Sequence, residues 1–286
     1  MKDDQSFNAI DGLLPAEMAE KAESVGMNKA TMSFTKTFVL AILAGAFIAL
    51  GAVFMTTVTA GSTWPYGITK LIGGISFSLG LILVIVGGAE LFTGNNLIIM
   101  AWASKKINTI QLLRNWVIVY FGNLAGAISM VFLMFFAGQY FFQDGIIGKN
   151  ILAIANAKCN LGFSQAIALG ILCNVLVCLA VWLCFSVRST SGKILSIIFP
   201  ITAFVAAGFE HSIANMYFIP MGLALKQFSG PAFWSLIGQS TTEFDTLTWY
   251  NFFINNLIPV TIGNIIGGSV LVGLVYWFVF LRSGKE

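Results

Sequence analysis

Six stretches of this chain approach the roughly 20 apolar residues that a helix needs to cross a bilayer: 38–59, 71–103, 116–142, 163–187, 194–225 and 252–281. Hydrophobic residues make up 57% of the 286 positions and charged ones 9%, against about a quarter charged in an ordinary soluble domain. The composition therefore describes an all-α integral membrane protein, a six-helix bundle with both termini on one side.

Lys and Arg set the orientation, because cytoplasmic loops carry them in excess. One side holds eleven (Lys2, Lys21, Lys29, Lys36, Lys105, Lys106, Arg114, Arg188, Lys193, Arg282, Lys285) and the other four (Lys70, Lys149, Lys158, Lys226). Both termini are expected in the cytoplasm. The opening residues, "MKDDQSFNAIDGLLPAEMAEKAESVG", lack the basic start and apolar core of a secretory signal. Within them "LLPAEMAEKAESVG" repeats apolar residues at helical spacing. It is read as an amphipathic helix on the membrane surface, in preference to a gate or a docking helix for a cytoplasmic partner. Cys173, Cys178 and Cys184 share one apolar segment and Cys159 stands apart in a polar loop. They are read as small packing residues, since their spacing matches no disulfide, zinc or haem pattern, and no cofactor or metal is expected. A net charge of +3 gives no basis for a nucleic-acid partner.

The second and fifth segments are each interrupted in mid-membrane, at "ELFTGNN" and at "EHS". The interruptions match: Gly88-Ala89-Glu90 answers Gly208-Phe209-Glu210, and an asparagine follows each glutamate five residues later, at Asn95 and Asn215. The third and sixth segments echo each other as Gly122-Asn123-x-x-Gly126 and Gly263-Asn264-x-x-Gly267. Three helices per half is an odd number, so the second half runs inverted relative to the first. An inverted 3+3 repeat with a broken helix in each half points to a transport site at the midplane.

Irregular backbone at membrane depth must be buried in protein or line a cavity. Each restarting half-helix presents unpaired N–H groups and a partial positive charge, which favour an anion or a polar solute. Glu90 and Glu210 are expected to accept hydrogen bonds from those orphan N–H groups. His211, the single histidine, sits at the second break, where burial disfavours its charged form and a neighbouring carboxylate favours it; it can hydrogen-bond an anion or hand it a proton. Asn174 and Asn264 either donate to the solute or make interhelical hydrogen bonds, and the residues leave both roles open.

The chain resembles the formate/nitrite transporter family through "GFEHSIANM", "ELFTGNN", "IPVTIGNIIGG" and the tail "LLPAEMAEKAE". The resemblance extends over nearly the whole chain, and tail and length look most like the family's formate channels. It implies an aquaporin-like fold in a homopentamer whose protomers each carry a pore. Residues 1–36 would form a cytoplasmic tail, 37–282 the channel (halves about 37–145 and 160–282) and 283–286 a cytoplasmic end. It further implies a central His211 with Thr93 as its partner and Asn174 and Asn264 in the pore. A cytoplasmic slit would form at Leu91, Phe92 and Val177, and a periplasmic constriction at Phe77, Leu81 and Phe204. Lys158 would draw formate in, with Glu210 before the histidine. Passage of formic acid after proton transfer from His211 and conduction of the bare anion are both compatible with these residues, and nitrite or hydrosulfide are alternative cargoes. A water or glycerol channel is disfavoured because neither break holds Asn-Pro-Ala. An intramembrane hydrolase built on Glu210 and His211 lacks a nucleophile, so an enzyme is not expected.

Overall fold

The structure is a computed structural model that describes residues 12–282; the first eleven residues and 283–286 lie outside it, and with them the expected C-terminal end. Among the described residues every regular element is helical.

Helix α1 (Pro15–Thr31) opens with proline at its first position, and Glu17 Oε2 accepts from Leu14 N at 2.7 Å. Its buried face is Met18, Ala19, Ala22, Gly26 and Ala30, packed on residues 98–101 of the first break rather than on lipid. The membrane-surface placement is therefore corrected. Alanine and glycine make a shallow face suited to close helix contact, and a Cβ added at Gly26 would stand only 3.2 Å from Ala101 Cβ.

Helices α2 (Phe34–Thr59) and α3 (Tyr66–Gly87) follow; beyond the break come a 3-10 turn (Gly94–Ile98) and the five-residue α4 (Ile99–Ala103). Helix α5 (Thr109–Phe136) starts seven residues before the apolar run of the sequence suggests. Asn108 caps it by accepting from Gln111 N at 2.9 Å while Gln111 Oε1 accepts from Asn108 N at 2.9 Å, a reciprocal box that satisfies two orphan donors. The stretch read as a polar loop around Cys159 is instead helix α6 (Ile146–Cys159). Ile147, Ile151, Leu152, Ala155 and Cys159 recur at helical spacing and are buried.

The second half contains α7 (Phe163–Ser186), α8 (Thr190–Ala206), the break, α9 (Ser212–Phe228) and α10 (Gly230–Ile237). Its last segment runs through α11 (Trp249–Asn251), α12 (Ile258–Ile265) and α13 (Val275–Phe280), with π-helical turns on both sides of α12. Among the described residues five helical runs are long and apolar enough to cross a membrane; Thr190–Ala206 is shorter and apolar.

The halves pack as inverted copies. Helix α2 lies on α3 and α5, α7 lies on α8 and α12, and α3 against α8 joins the two sets. A Cβ at Gly126 would collide with the Ile42 carbonyl oxygen, and one at Gly267 with the Ile171 carbonyl oxygen, so glycine at these two places lets helix backbones touch. Phe136, Phe199 and Ile110 lie exposed on the outside, as a lipid-facing surface requires.

Candidate functional site

Both breaks are made the same way. Gly88 (φ 78°) and Gly208 (φ 72°) adopt the left-handed conformation that ends a helix. Ala89 N then donates to Val84 O at 2.9 Å and Phe209 N to Phe204 O at 3.0 Å. Glu90 N donates to Leu40 O at 3.2 Å and Glu210 N to Leu169 O at 3.3 Å, so each broken strand of backbone is hung from the first helix of its own half.

Asn123 and Asn264 secure the next peptide. Asn123 Nδ2 donates to Ala41 O (2.7 Å) and Glu90 O (2.9 Å), and its Oδ1 accepts from Phe92 N (2.9 Å). Asn264 Nδ2 donates to Gly170 O (2.8 Å) and Glu210 O (3.0 Å), and its Oδ1 accepts from Ser212 N (2.9 Å). The Asn264 amide is thus committed to backbone and holds the break open.

The glutamates do not cap the restarting helices. Glu210 accepts from Asn215 Nδ2 at 2.6 Å and pairs with Lys158 Nζ at 2.7 Å; Asn215 also donates to Asn256 Oδ1 (2.7 Å), and Asn256 to Lys158 O (3.0 Å). The mirror set is Glu90 with Asn95 Nδ2 at 2.7 Å and Lys29 Nζ at 2.9 Å, Asn95 donating to Asn115 Oδ1 (3.0 Å) and Asn115 to Lys29 O (3.0 Å). A buried carboxylate needs a cation and full hydrogen bonding, and a lysine on a short flanking helix supplies it in both halves. The inverted repeat therefore includes α1 and α6. Lys29, Asn115 and Asn256 escaped the sequence reading, although Asn115 and Asn256 each stand eight residues before the Gly-Asn asparagine and Lys29 and Lys158 each stand five before a membrane helix.

The mirror fails at the residue after each glutamate. After Glu210 comes His211 and after Glu90 comes Leu91. His211 is the N-cap of α9, its Nδ1 accepting from Ala214 N at 3.0 Å, and α9 begins as a regular helix. Leu91 has no side-chain acceptor, and the first half restarts as a 3-10 turn. That turn is steadied from α7, where Asn174 Nδ2 and Cys178 Sγ both donate to Thr93 O at 3.3 Å. Asn174 Nδ2 also donates to Asn264 O at 2.6 Å, so it ties the first break to α12, whose Asn264 side chain secures the second.

Thr93 Oγ1 and His211 Nε2 meet at 3.0 Å. A backbone N–H only donates, so Nδ1 offers its lone pair to Ala214 and the neutral ring carries its hydrogen on Nε2. Nε2–H donates to Thr93 Oγ1, which leaves the hydroxyl hydrogen free to donate elsewhere. Phe204 stacks on His211 (centroids 5.9 Å) and meets Phe77 edge-on (5.7 Å). These three line a cavity of about 410 Å³ on the α6 side, together with Lys70, Lys158 and Glu210. Leu81 is not among them. It lines a second cavity of about 40 Å³ on the α1 side, with Leu91, Gly94, Val181 and Lys29. Phe77 and Leu81 share a helix face, and Leu81 stands one turn, about 6 Å, further along it, in the smaller cavity. Phe92 meets Trp116 and Tyr120 of α5 edge-on; Val177 is buried in the same core cluster as Leu91 and Phe92.

Two broken helices that meet at a buried donor pair, with an open cavity on either side, define a membrane-spanning pore protein. The formate/nitrite transporter family profile matches residues 16–278. Formate channel FocA of Escherichia coli K12 is 52% identical over 280 residues, covering 98% of each chain. Formate channel FocA of Haemophilus influenzae is 42% identical, covering 95% of this chain and 96% of that one. A solved pentameric formate channel with formate bound superposes with a TM-score of 0.81 at 46% identity, over 87% of this chain and 98% of that one. The chain belongs to the formate/nitrite transporter family.

Proposed function

We propose that the chain forms a pentameric channel for small monovalent anions, formate first, in the bacterial cytoplasmic membrane with both termini in the cytoplasm. The observation that carries this is the buried Thr93–His211 pair, one side chain from each of the two mirrored breaks. The relatives named as formate channels and the excess of Lys and Arg on the terminal side support it.

Formate enters the larger cavity, sheds water between Phe77 and Phe204, and meets the Thr93 hydroxyl with the N-terminus of the 17-residue α9 beside it. Oriented donors and a helix N-terminus lower the cost of holding an anion where water is excluded. His211 acts as a fixed donor in this geometry. To hand over a proton it must first carry a second hydrogen on Nδ1, where Ala214 N–H already points.

Flux into proteoliposomes with labelled formate, nitrite, hydrosulfide and glycerol tests the assignment. Formate is expected to enter fastest; entry of glycerol without the anions would overturn it.

A further inference from the structure

The lysines at the two pore mouths fall into paired and unpaired sets. Lys158 and Lys29, on the flanking helices, each lie within 2.9 Å of a glutamate. Such a pair presents a dipole rather than a charge to a distant anion, so neither accounts for long-range attraction. Three lysines remain: Lys70 in the cavity on the α6 side, and Lys21 and Lys193 around the mouth on the α1 side. Among the described residues no carboxylate comes within ion-pair distance of these three. Lys70 Nζ lies over the Tyr66 ring at 5.4 Å, and Lys21 Nζ reaches Phe185 O at 3.5 Å.

The mouth on the α1 side is a cavity of about 270 Å³ lined by Lys21, Lys29, Lys193 and Glu90, so cations outnumber carboxylates there by two. It shares Lys29, Val84, Ala89 and Val181 with the narrow cavity of Leu81 and Leu91, which places it directly outside the apolar throat. A cleft lined by one sign of charge with low-dielectric walls concentrates the opposite ion.

We propose that Lys21 and Lys193 form an anion-collecting site at the α1-side mouth, which takes a small carboxylate or similar monovalent anion before the throat, with Lys70 as its counterpart at the other mouth. The proposal rests on the anion-conducting function above. Lys21 is exposed and Lys193 half-buried, so both keep water and hold the anion loosely enough to pass it on. The paired lysines instead serve the breaks.

The test measures formate flux into proteoliposomes at subsaturating concentration for the wild type, the Lys21→Gln/Lys193→Gln variant and the charge-preserving Lys21→Arg/Lys193→Arg variant. At an ionic strength on the order of 0.01 M, where the screening length is about 30 Å, the glutamine variant is expected to carry roughly tenfold less formate, the low end of electrostatic steering. The arginine variant should match the wild type. Near 1 M salt, where screening acts within about 3 Å, the deficit should vanish. Equal flux at low salt, or a deficit that persists at high salt, overturns the proposal while leaving the assigned function standing. Wild-type protein that carries no formate, nitrite or hydrosulfide overturns both.

Discussion

Replacing Asn264 by alanine removes three hydrogen bonds at once, two to carbonyls and one from a backbone N–H. Gly170 O retains its place in the hydrogen-bond ladder of α7, but Glu210 O and Ser212 N belong to the break and have no helical partner. Ser212 is fully buried and Glu210 nearly so, so water does not readily replace the lost bonds. Two buried groups left without partners cost about 1–3 kcal/mol each, or ~2–6 kcal/mol together. An ordinary interhelical hydrogen bond in a membrane protein contributes only about 0.6 kcal/mol and at most about 1.7, so the two interpretations of this asparagine separate clearly. Unfolding of detergent-solubilised protein by sodium dodecyl sulfate, followed by tryptophan fluorescence, measures the difference. Asn264→Leu, of nearly the same volume, distinguishes lost hydrogen bonds from lost packing and should cost about as much as Asn264→Ala. Asn123→Ala, which removes the mirror set, should fall in the same range. A loss below about 1 kcal/mol in all three would refute the idea that these amides hold the breaks open.

Two further outcomes follow from the geometry. Gly126→Ala pushes a Cβ into the Ile42 carbonyl oxygen and should cost about 2 kcal/mol or more in the same unfolding assay, whereas Gly94→Ala, whose Cβ meets nothing nearer than Val181 Cγ2 at 3.5 Å, should be close to neutral. His211→Asn keeps an N-cap acceptor for Ala214 N and should retain the wild-type pH dependence of formate uptake; loss of that dependence would show that His211 transfers protons.

The sequence made the inverted repeat visible because its key residues are glycines and asparagines at places that accept little else. Gly88 and Gly208 must adopt a left-handed conformation, and Asn123 and Asn264 must both donate and accept. Those constraints survive as literal echoes. The flanking helices left no such echo. Helix α1 is charged and α6 apolar, and only the lysine near the end of each does the same work, so their equivalence emerges from the hydrogen bonds. The side chains gathered where the two breaks meet were partly legible. Phe77, Phe204, Thr93 and His211 come together as expected from the family. Leu81 lines the smaller cavity rather than that of Phe77 and Phe204, and Phe92 packs edge-on against Trp116 and Tyr120 of α5. The glutamates were expected to cap orphan N–H groups, but the asparagines of the last helix in each half do so, and that needed knowledge of which helix passes behind the break.

The docking of α1 also has a consequence for how the chain is made. The anchor of this helix, Lys29, is synthesised early, yet the asparagine that holds its carbonyl oxygen lies 86 residues later, and its apolar face packs on residues 98–101. At roughly 5–20 residues per second of synthesis, the segment waits for several seconds with Met18, Ala19 and Ala22 uncovered while two membrane helices are inserted behind it. Helix α1 is thus made before α2 and α3, yet it docks only after the residues of the first break that it covers have been synthesised.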